Sequence, residues 1–459
     1  MTRGIQGKIG GCALGVTATI VVSGCQTYEP KPLDLEAHRD AWLRQTPSDE
    51  PVRRFAAGLS QDSADSSFDP SNGLTLGEAE VVALVLNPSL RLARLQAGVT
   101  AAAAKFAGLW DDPQLAIDFL SGSGSGDPFP VTPGLAFTIP VSGRLEAAKA
   151  EADAALAAAL TGVAEQEWTV RIEVRRAWYR WSAARLMVQQ TEALLAWIEP
   201  LVTSTAAMTQ VGEMVRTESA LFAIERASQQ VALRREQGDA EELEQELRTL
   251  MGLSPGAPLE LVPSLSSGID VDGATPDAMA GGNLELERLR DQYIVAERAL
   301  ALEIRKQYPD VTIGPLLEFD RGDSLAGFSI ALPIPILNAN QQGIAQANAA
   351  REVARAAFES AFTRLAGELE VALVRTRSQH AQREVIEGTI APLVDAQLAD
   401  ARALLSLGES GGLILLESLT RVAETQMSLV DARLGESLAE VDMASIIGPQ
   451  EPPRTESIP

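Results

Sequence analysis

The residue best placed to do chemistry in this sequence is a cysteine near its start. Val22-Ser23-Gly24-Cys25 sets an aliphatic residue and two small residues ahead of a thiol. Small side chains let an extended chain enter a peptidase cleft, and the Cys25 thiol is the nucleophile that takes a lipid. Ahead of it, Arg3 and Lys8 form a positive n-region. Ile9 to Val22 is an apolar run of 14 residues, too short to span a bilayer but the length of a secretory leader. The alternative is an ordinary leader with a chance cysteine. Cys12 lies inside the segment to be removed, so the mature chain would hold one cysteine, acylated, and no disulfide. Gln26, rather than Asp, follows the cysteine, and by the sorting rule of bacterial lipoproteins this favours the outer membrane.

Other reactive constellations do not emerge. The two histidines, His38 and His380, are far apart with no cysteine beside either, which argues against a zinc site or a Cys/His nucleophile pair. No nucleophile–base set, phosphate loop or metal cluster is recognisable, so an enzyme is the weakest reading. No cofactor is expected beyond the covalent lipid on Cys25. The 38 Lys+Arg against 62 Asp+Glu give a formal charge of −24, and loss of Arg3 and Lys8 with the leader makes it −26. Such a surface repels nucleic acid. No apolar stretch of about 20 residues runs without strong interruption, which excludes a helical membrane protein. Length alone, 459 residues at about 150 per domain, suggests three globular domains.

An internal repeat overturns that estimate. Asn87 and Asn283 each head a helical run, and each run leads to a proline that opens an alternating segment, Asp112-Pro113-Gln114-Leu115 and Tyr308-Pro309-Asp310-Val311, with both pairs 196 apart. Gly134-Leu135-Ala136-Phe137-Thr138-Ile139-Pro140 matches Gly327-Phe328-Ser329-Ile330-Ala331-Leu332-Pro333 at 193, and Val211-Gly212-Glu213 matches Leu407-Gly408-Glu409 at 196. Ordered matches with small offsets imply a duplication. Each half reads helix, strand, strand, very long helix, helix. In the first, helix covers 76–110 with a break near Pro88, strands cover 113–121 and 132–140, and helices cover 142–210 and 214–252. In the second, helix covers 283–307, strands 310–320 and 325–332, and helices 340–407 and 412–447. A helix of about 65 residues is roughly 100 Å long, too long for a compact domain. Its alanines, such as Ala152, Ala154 and Ala155, suit close helix packing.

The strands alternate. Leu115, Ile117 and Phe119, then Leu135, Phe137 and Ile139, share parity against small or polar neighbours. So do Val311, Ile313, Leu317 and Phe319, then Phe328, Ile330 and Leu332. This is the lipid-out, water-in pattern of a transmembrane strand. A half-buried soluble strand alternates in the same way. Four strands cannot close a water-filled barrel, so a membrane reading requires oligomerisation.

The duplicated halves and the Cys25 motif, with Leu332-Pro333-Ile334-Pro335-Ile336-Leu337-Asn338 leading to Gly343-Ile344-Ala345-Gln346-Ala347, resemble the outer-membrane efflux protein family, the TolC-like channels. Leu407-Gly408-Glu409-Ser410, Leu415-Leu416-Glu417-Ser418 and Arg421 extend the likeness, which covers about 76–448. It is nearest to lipidated channels of resistance-nodulation-division (RND) pumps, with the heavy-metal branch one possibility. The resemblance implies a mainly α fold with a membrane β-barrel: a homotrimer with a 12-stranded barrel in outer-membrane lipid and a long α-helical periplasmic tunnel. It also implies a periplasmic adaptor (membrane fusion) protein and an inner-membrane RND pump as partners. The duct of a type I protein-secretion system, and a lipid-anchored coiled-coil protein without a pore, are the alternatives.

On this reading the chain divides into a leader (1–24), an acylated segment packing on the tunnel (25–75), a first repeat (76–252), an irregular equatorial segment (253–282), a second repeat (283–448) and a disordered tail (449–459). The tips Val211, Gly212 and Glu213, and Leu407, Gly408 and Glu409, are candidate adaptor-docking residues, or merely turns. The resemblance makes Glu417, nine positions beyond Gly408, and Leu413 before it, candidate pore-gate residues. A solvated face for Glu417 and a coiled-coil core position for Leu413 are the plainer readings. Trp110 is a candidate interface anchor, while Trp168, Trp178 and Trp181 read as packing residues.

Overall fold

A computed structural model describes residues 28–60, 68–119, 131–266, 273–320, 323–406 and 412–449. Cys25 and the tip residues Leu407, Gly408 and Glu409 lie outside the described residues, as does nearly all of the 449–459 tail. Residues 1–42 and 43–459 form separate units. In the first lies most of helix α1 (Leu35–Leu43), which has no buried residue and is capped by Asp34 Oδ1 accepting from the Ala37 amide at 2.9 Å.

The second unit opens with α2 (Glu50–Ser60), whose Val52 and Ala56 are buried. Next comes α3 (Leu76–Leu86), started by a reciprocal cap in which Thr75 and Glu78 exchange hydrogen bonds. Asn87 ends α3 and begins α4 (Pro88–Lys105), with Pro88 where a helix needs no N–H. Strands β1 (Gln114–Phe119) and β2 (Val131–Ile139) lead into α5 (Arg144–Gln210). At 67 residues α5 is about 100 Å long, and Pro200 interrupts its hydrogen-bond ladder without ending it. Helix α6 (Arg216–Leu250) closes the first half.

The second half follows the same order. It comprises α7 (Pro276–Gly282), α8 (Leu284–Arg305), β3 (Val311–Asp320), β4 (Asp323–Ala331), α9 (Gln341–Val385), a π turn (Ile386–Ile390), α10 (Ala391–Ser406) and α11 (Gly412–Ile447). Two features differ from the expectations above. The equatorial segment read as irregular holds α7, because Thr275 supplies the cap and Pro276 takes the first turn. The long second-half helix is interrupted by a π turn, the wider i→i+5 geometry, just ahead of Pro392, which has no N–H for the carbonyl four before it.

The duplication has a structural signature. Asn87 Nδ2 donates to the Leu250 carbonyl at 2.7 Å, and Asn283 Nδ2 donates to the Ile446 carbonyl at 2.7 Å. Their Oδ1 atoms cap α4 and α8, accepting from Leu90 and Leu286. Each pair ties the start of a half to its last helix, whose final turn ends in a left-handed glycine, Gly252 (φ 74°) or Gly448 (φ 90°). A Cβ on either glycine would collide with the carbonyl of Leu86 or Gly282, so the chains approach as closely as glycine allows.

The four strands form one antiparallel sheet in the order β1-β2-β3-β4, and the central β2–β3 pair joins the two halves. Leu115 lies opposite Leu135, Phe137 opposite Ile313 and Ile313 opposite Ile330, so the apolar residues fall on one face. Helices neighbour one another in the same order as the strands. Toward the sheet α4, α5, α8 and α9 are adjacent in turn, and beyond it α6, α5, α11 and then α9 with α10. Aromatic packing centres on Trp178 and Tyr179, both fully buried beside α3 and the 253–265 segment.

Replacing Asn87 or Asn283 with Ala should lower stability by about 1–3 kcal/mol each, since a cap and a buried donor are lost together. Asn→Asp keeps the cap but not the donor and should fall between. Thermal melts followed by circular dichroism decide this; an Asp variant as stable as wild type would show that the amide donor contributes nothing.

Candidate functional site

At the turn between α5 and α6, the Glu213 amide donates to the Met208 carbonyl at 2.9 Å and the Gly212 amide to Thr209 at 3.3 Å. This paired closure needs a left-handed residue, and Gly212 supplies it at φ 81°. Val211 and Val215 stand out from the turn, 72% and 66% exposed. Two valines held in water on a rigid turn are a small apolar handle rather than a core.

At the start of α11, Leu415, Leu416 and Leu419 pack into a cluster with Leu194, Ile198 and Phe222. Leu413 and Glu417, one turn apart, share the opposite face. Leu413 is 38% exposed, and the Glu417 carboxylate lies in solvent against Arg421 at 3.0 Å. The two candidate gate residues are therefore brought together and kept out of the chain's own core. Nothing else within the described chain holds Glu417 in place.

The sheet presents two chemically distinct faces. Leu115, Ile330 and Phe328 on the apolar face are 70%, 69% and 60% exposed. On the opposite face, Asp118 and Glu318 are charged, both acidic. Leu316 shares that face, and lies opposite Gly134 on one side and Gly327 on the other. The Gly314 Cα is pressed so close to the Leu135 carbonyl that no side chain fits.

Where sheet meets helix, Arg144 at the head of α5 reaches both Asp310 and Asp111. Ser142 Oγ adds a hydrogen bond to Asp310 at 2.8 Å. Burial pushes the Asp310 carboxyl up, but the bonds from Arg144 and Ser142 outweigh it and hold the group below its ordinary value. At the matching junction of the second half, Asn340 (φ 53°) donates to the Glu303 carbonyl at 2.8 Å and to its carboxylate at 2.7 Å. The end of α8 is thus fastened to the start of α5 on one side and of α9 on the other. The repeat flagged Asp310 by position, but Arg144 has no counterpart at the second junction, so spacing could not disclose the pair.

Further from the sheet, His380 lies on α9 with Nδ1 at 2.7 Å from Glu436, in an ion-pair set with Arg383, Glu387 and Arg433 that brackets the π turn. Trp110 is 64% exposed just before β1.

No known protein family matches the sequence, and no curated protein does. Solved structures do match. CusC, whose structures concern folding and transmembrane channel formation, has a TM-score of 0.68 at 16% identity, over 88% of this chain and 97% of that one. The VceC outer-membrane protein of Vibrio cholerae matches with a TM-score of 0.64 at 17% identity, over 81% and 96%. The CmeC outer-membrane channel of Campylobacter jejuni gives 0.66 at 14%, over 84% and 89%. The chain has the outer-membrane efflux-channel fold. In this instance of the efflux-channel fold, the two-faced sheet and the helical layer are joined by the Arg144–Asp310 and Asn340–Glu303 fastenings.

Because the folded-state value of Asp310 is depressed, its contribution is complete above the ordinary carboxylate value of 3.8 and fades as pH falls through the lowered one. Asp310→Asn should therefore lower the thermal midpoint at neutral pH by an amount that shrinks in acid. Melts across a pH series test this, and a deficit independent of pH would count against it.

Proposed function

We propose that this chain is a passive outer-membrane exit channel of a tripartite efflux system and a member of the TolC-like family, built as a homotrimer. Three copies would supply twelve strands, enough for a barrel with an aqueous lumen. The apolar face would meet lipid, and the acidic face would line the lumen and favour cations. The lipid on Cys25 would anchor the same chain to the outer membrane. The helices would continue the duct through the periplasm. There the turns at Gly212 and Gly408 would meet a periplasmic adaptor and, through it, an inner-membrane RND pump that selects small molecules or metal ions. Leu413 and Glu417 would narrow the closed end. No bond is made or broken by such a protein.

The observation that carries this reading is the pair of open flanks. Among the described residues β1 and β4 each have a neighbour on one side only, and the helices beside them, α4 and α6 on one flank and α9 and α10 on the other, are the end members of their own rows. An unpaired strand edge in hydrocarbon leaves backbone groups unsatisfied at several kcal/mol each. Sheet and helix rows end on the same two sides, so one rotation between copies would close both.

Purified chain in planar bilayers should give discrete ion conductance, and Glu417→Ala should raise it by removing a carboxylate from the narrow end. A silent bilayer would refute the channel; conductance unchanged by the substitution would remove Glu417 from the gate.

A further inference from the structure

The chain is sparing with lysine. Of its 38 basic residues only five are lysines, and Lys105, Lys149 and Lys306 all lie beside the sheet. They stand at the last position of α4, in the second turn of α5 and just past the end of α8. The other two, Lys8 and Lys31, precede the second unit. Along the helices arginine does the ion pairing, its planar fork suited to carboxylates, as where Arg288 meets Glu165. Lysine is a compact, strongly hydrated charge on a long apolar stem, which suits the boundary between an apolar band and water. Lys306 pairs with Glu303 at 2.5 Å, and Lys105 and Lys149 have no ion pair among the described residues.

At the same level a groove of about 430 Å³ runs between α5 and α8. Arg298 and Arg305 of α8 line one wall, with Ala147 and Ala150 of α5 opposite, small enough to keep the gap open. Neither arginine is ion-paired among the described residues, although Arg288 on the same helix is. Arg305 lies along the turn into α5, where a Cβ on Gly143 would come within 3.8 Å of its Cδ. Seven residues of helix span about 10 Å, so two long side chains can converge on one group between them. The corresponding positions of the first half, 196 earlier, hold Ala102 and Leu109, so the repeat alone does not account for the two charges.

The groove also holds one acid. Glu146 is exposed and has no ion pair among the described residues. Toward the sheet the rim is apolar. Val141, 61% exposed, has the parity of Leu135, Phe137 and Ile139 and carries the apolar sheet face down to the groove. A ligand that fits has acceptor oxygens for two guanidiniums, a cation for Glu146 and an apolar part for Val141. An aminophospholipid has all three in its phosphodiester, its ammonium and its acyl chains.

We propose that this groove binds the headgroup of an aminophospholipid of the surrounding bilayer. Arg298 and Arg305 hold the phosphodiester, Glu146 takes the ammonium, and an acyl chain runs past Val141 onto the apolar sheet face. The three lysines meet the phosphates of neighbouring headgroups. The site rests on the channel reading above, which puts the sheet in a bilayer, and adds a lipid preference to it. A glycerol headgroup satisfies the arginines but leaves Glu146 unanswered, so the amine is preferred.

The test uses the full chain in detergent, titrated with phosphatidylethanolamine or phosphatidylglycerol of matched acyl chains, with bound lipid counted by native mass spectrometry. Wild type should hold the amine lipid more tightly. Arg298→Gln/Arg305→Gln should weaken it about tenfold. Arg235→Gln/Arg377→Gln, an equal loss of charge at exposed arginines without ion pairs on α6 and α9, should leave it unchanged. Glu146→Gln should erase the preference and keep the glycerol lipid bound. Equal weakening by the two double variants, or a preference that survives Glu146→Gln, overturns the site. Glycerophosphoethanolamine, the headgroup without acyl chains, should compete poorly; if it binds as tightly as the lipid, the groove takes a soluble phosphate and the proposal falls. Planar-bilayer conductance separates this from the channel reading. A wild type that conducts but shows no lipid preference refutes the site alone, and one that holds the amine lipid but never conducts upholds the site and refutes the channel.

Discussion

An antiparallel sheet of four strands has two edges, and each edge is a row of backbone donors and acceptors without partners. Water satisfies such a row at no great cost; hydrocarbon does not. That single requirement gives meaning to the rest of the chain. A strongly apolar sheet face, 70% exposed at Leu115, is stable beside something equally apolar, and on the proposed channel reading that medium is lipid. On that reading the edges would have to be closed, and no remaining segment of the described chain pairs with them.

The helical layer is organised by the same requirement. Arg144 and Asn340 fasten the starts of α5 and α9 to the end of α8, so the strand order is passed on as helix order. Asn87 and Asn283 then tie the far end of each half back to its beginning. Among these fastenings Arg144–Asp310 joins the two halves, and the others each lie within one half. Leu92, Leu95 and Val99 of α4, at one end of the helix row, are exposed and apolar, and no described segment of the chain covers them.

Much of this was legible in the residues. Alternation placed all four strands, because a face committed to one medium imposes a period of two. Asn87-Pro88 announced the break between α3 and α4, since proline restricts the residue before it and asparagine caps the residue after. The π turn at 386–390 was signalled by Gly388 and by Pro392 just beyond it, which has no N–H for the Gly388 carbonyl, but neither residue says that the ladder widens rather than kinks. Helix α7 was hidden among prolines and glycines whose density suggested irregular chain, although Thr275-Pro276 is a regular helix start. The pairing of Glu417 with Arg421 follows from their spacing of four, yet only the packed cluster at Leu415, Leu416 and Leu419 shows which way that face turns.

By itself the sequence determined the duplication, the element order and the two-faced strands, because each depends on local pattern: a spacing, a period, a cap. Only the tertiary structure decided that β2 pairs with β3 across the repeat, that both flanks end open on the same sides, and that Arg144 answers Asp310 while Leu92 and Leu95 go unanswered. Those facts depend on which distant segments become neighbours. Two positions related by 196 residues can carry Arg288 in one half and Leu92 in the other. The sequence registers the difference, and only the fold shows that one faces its own chain and the other does not.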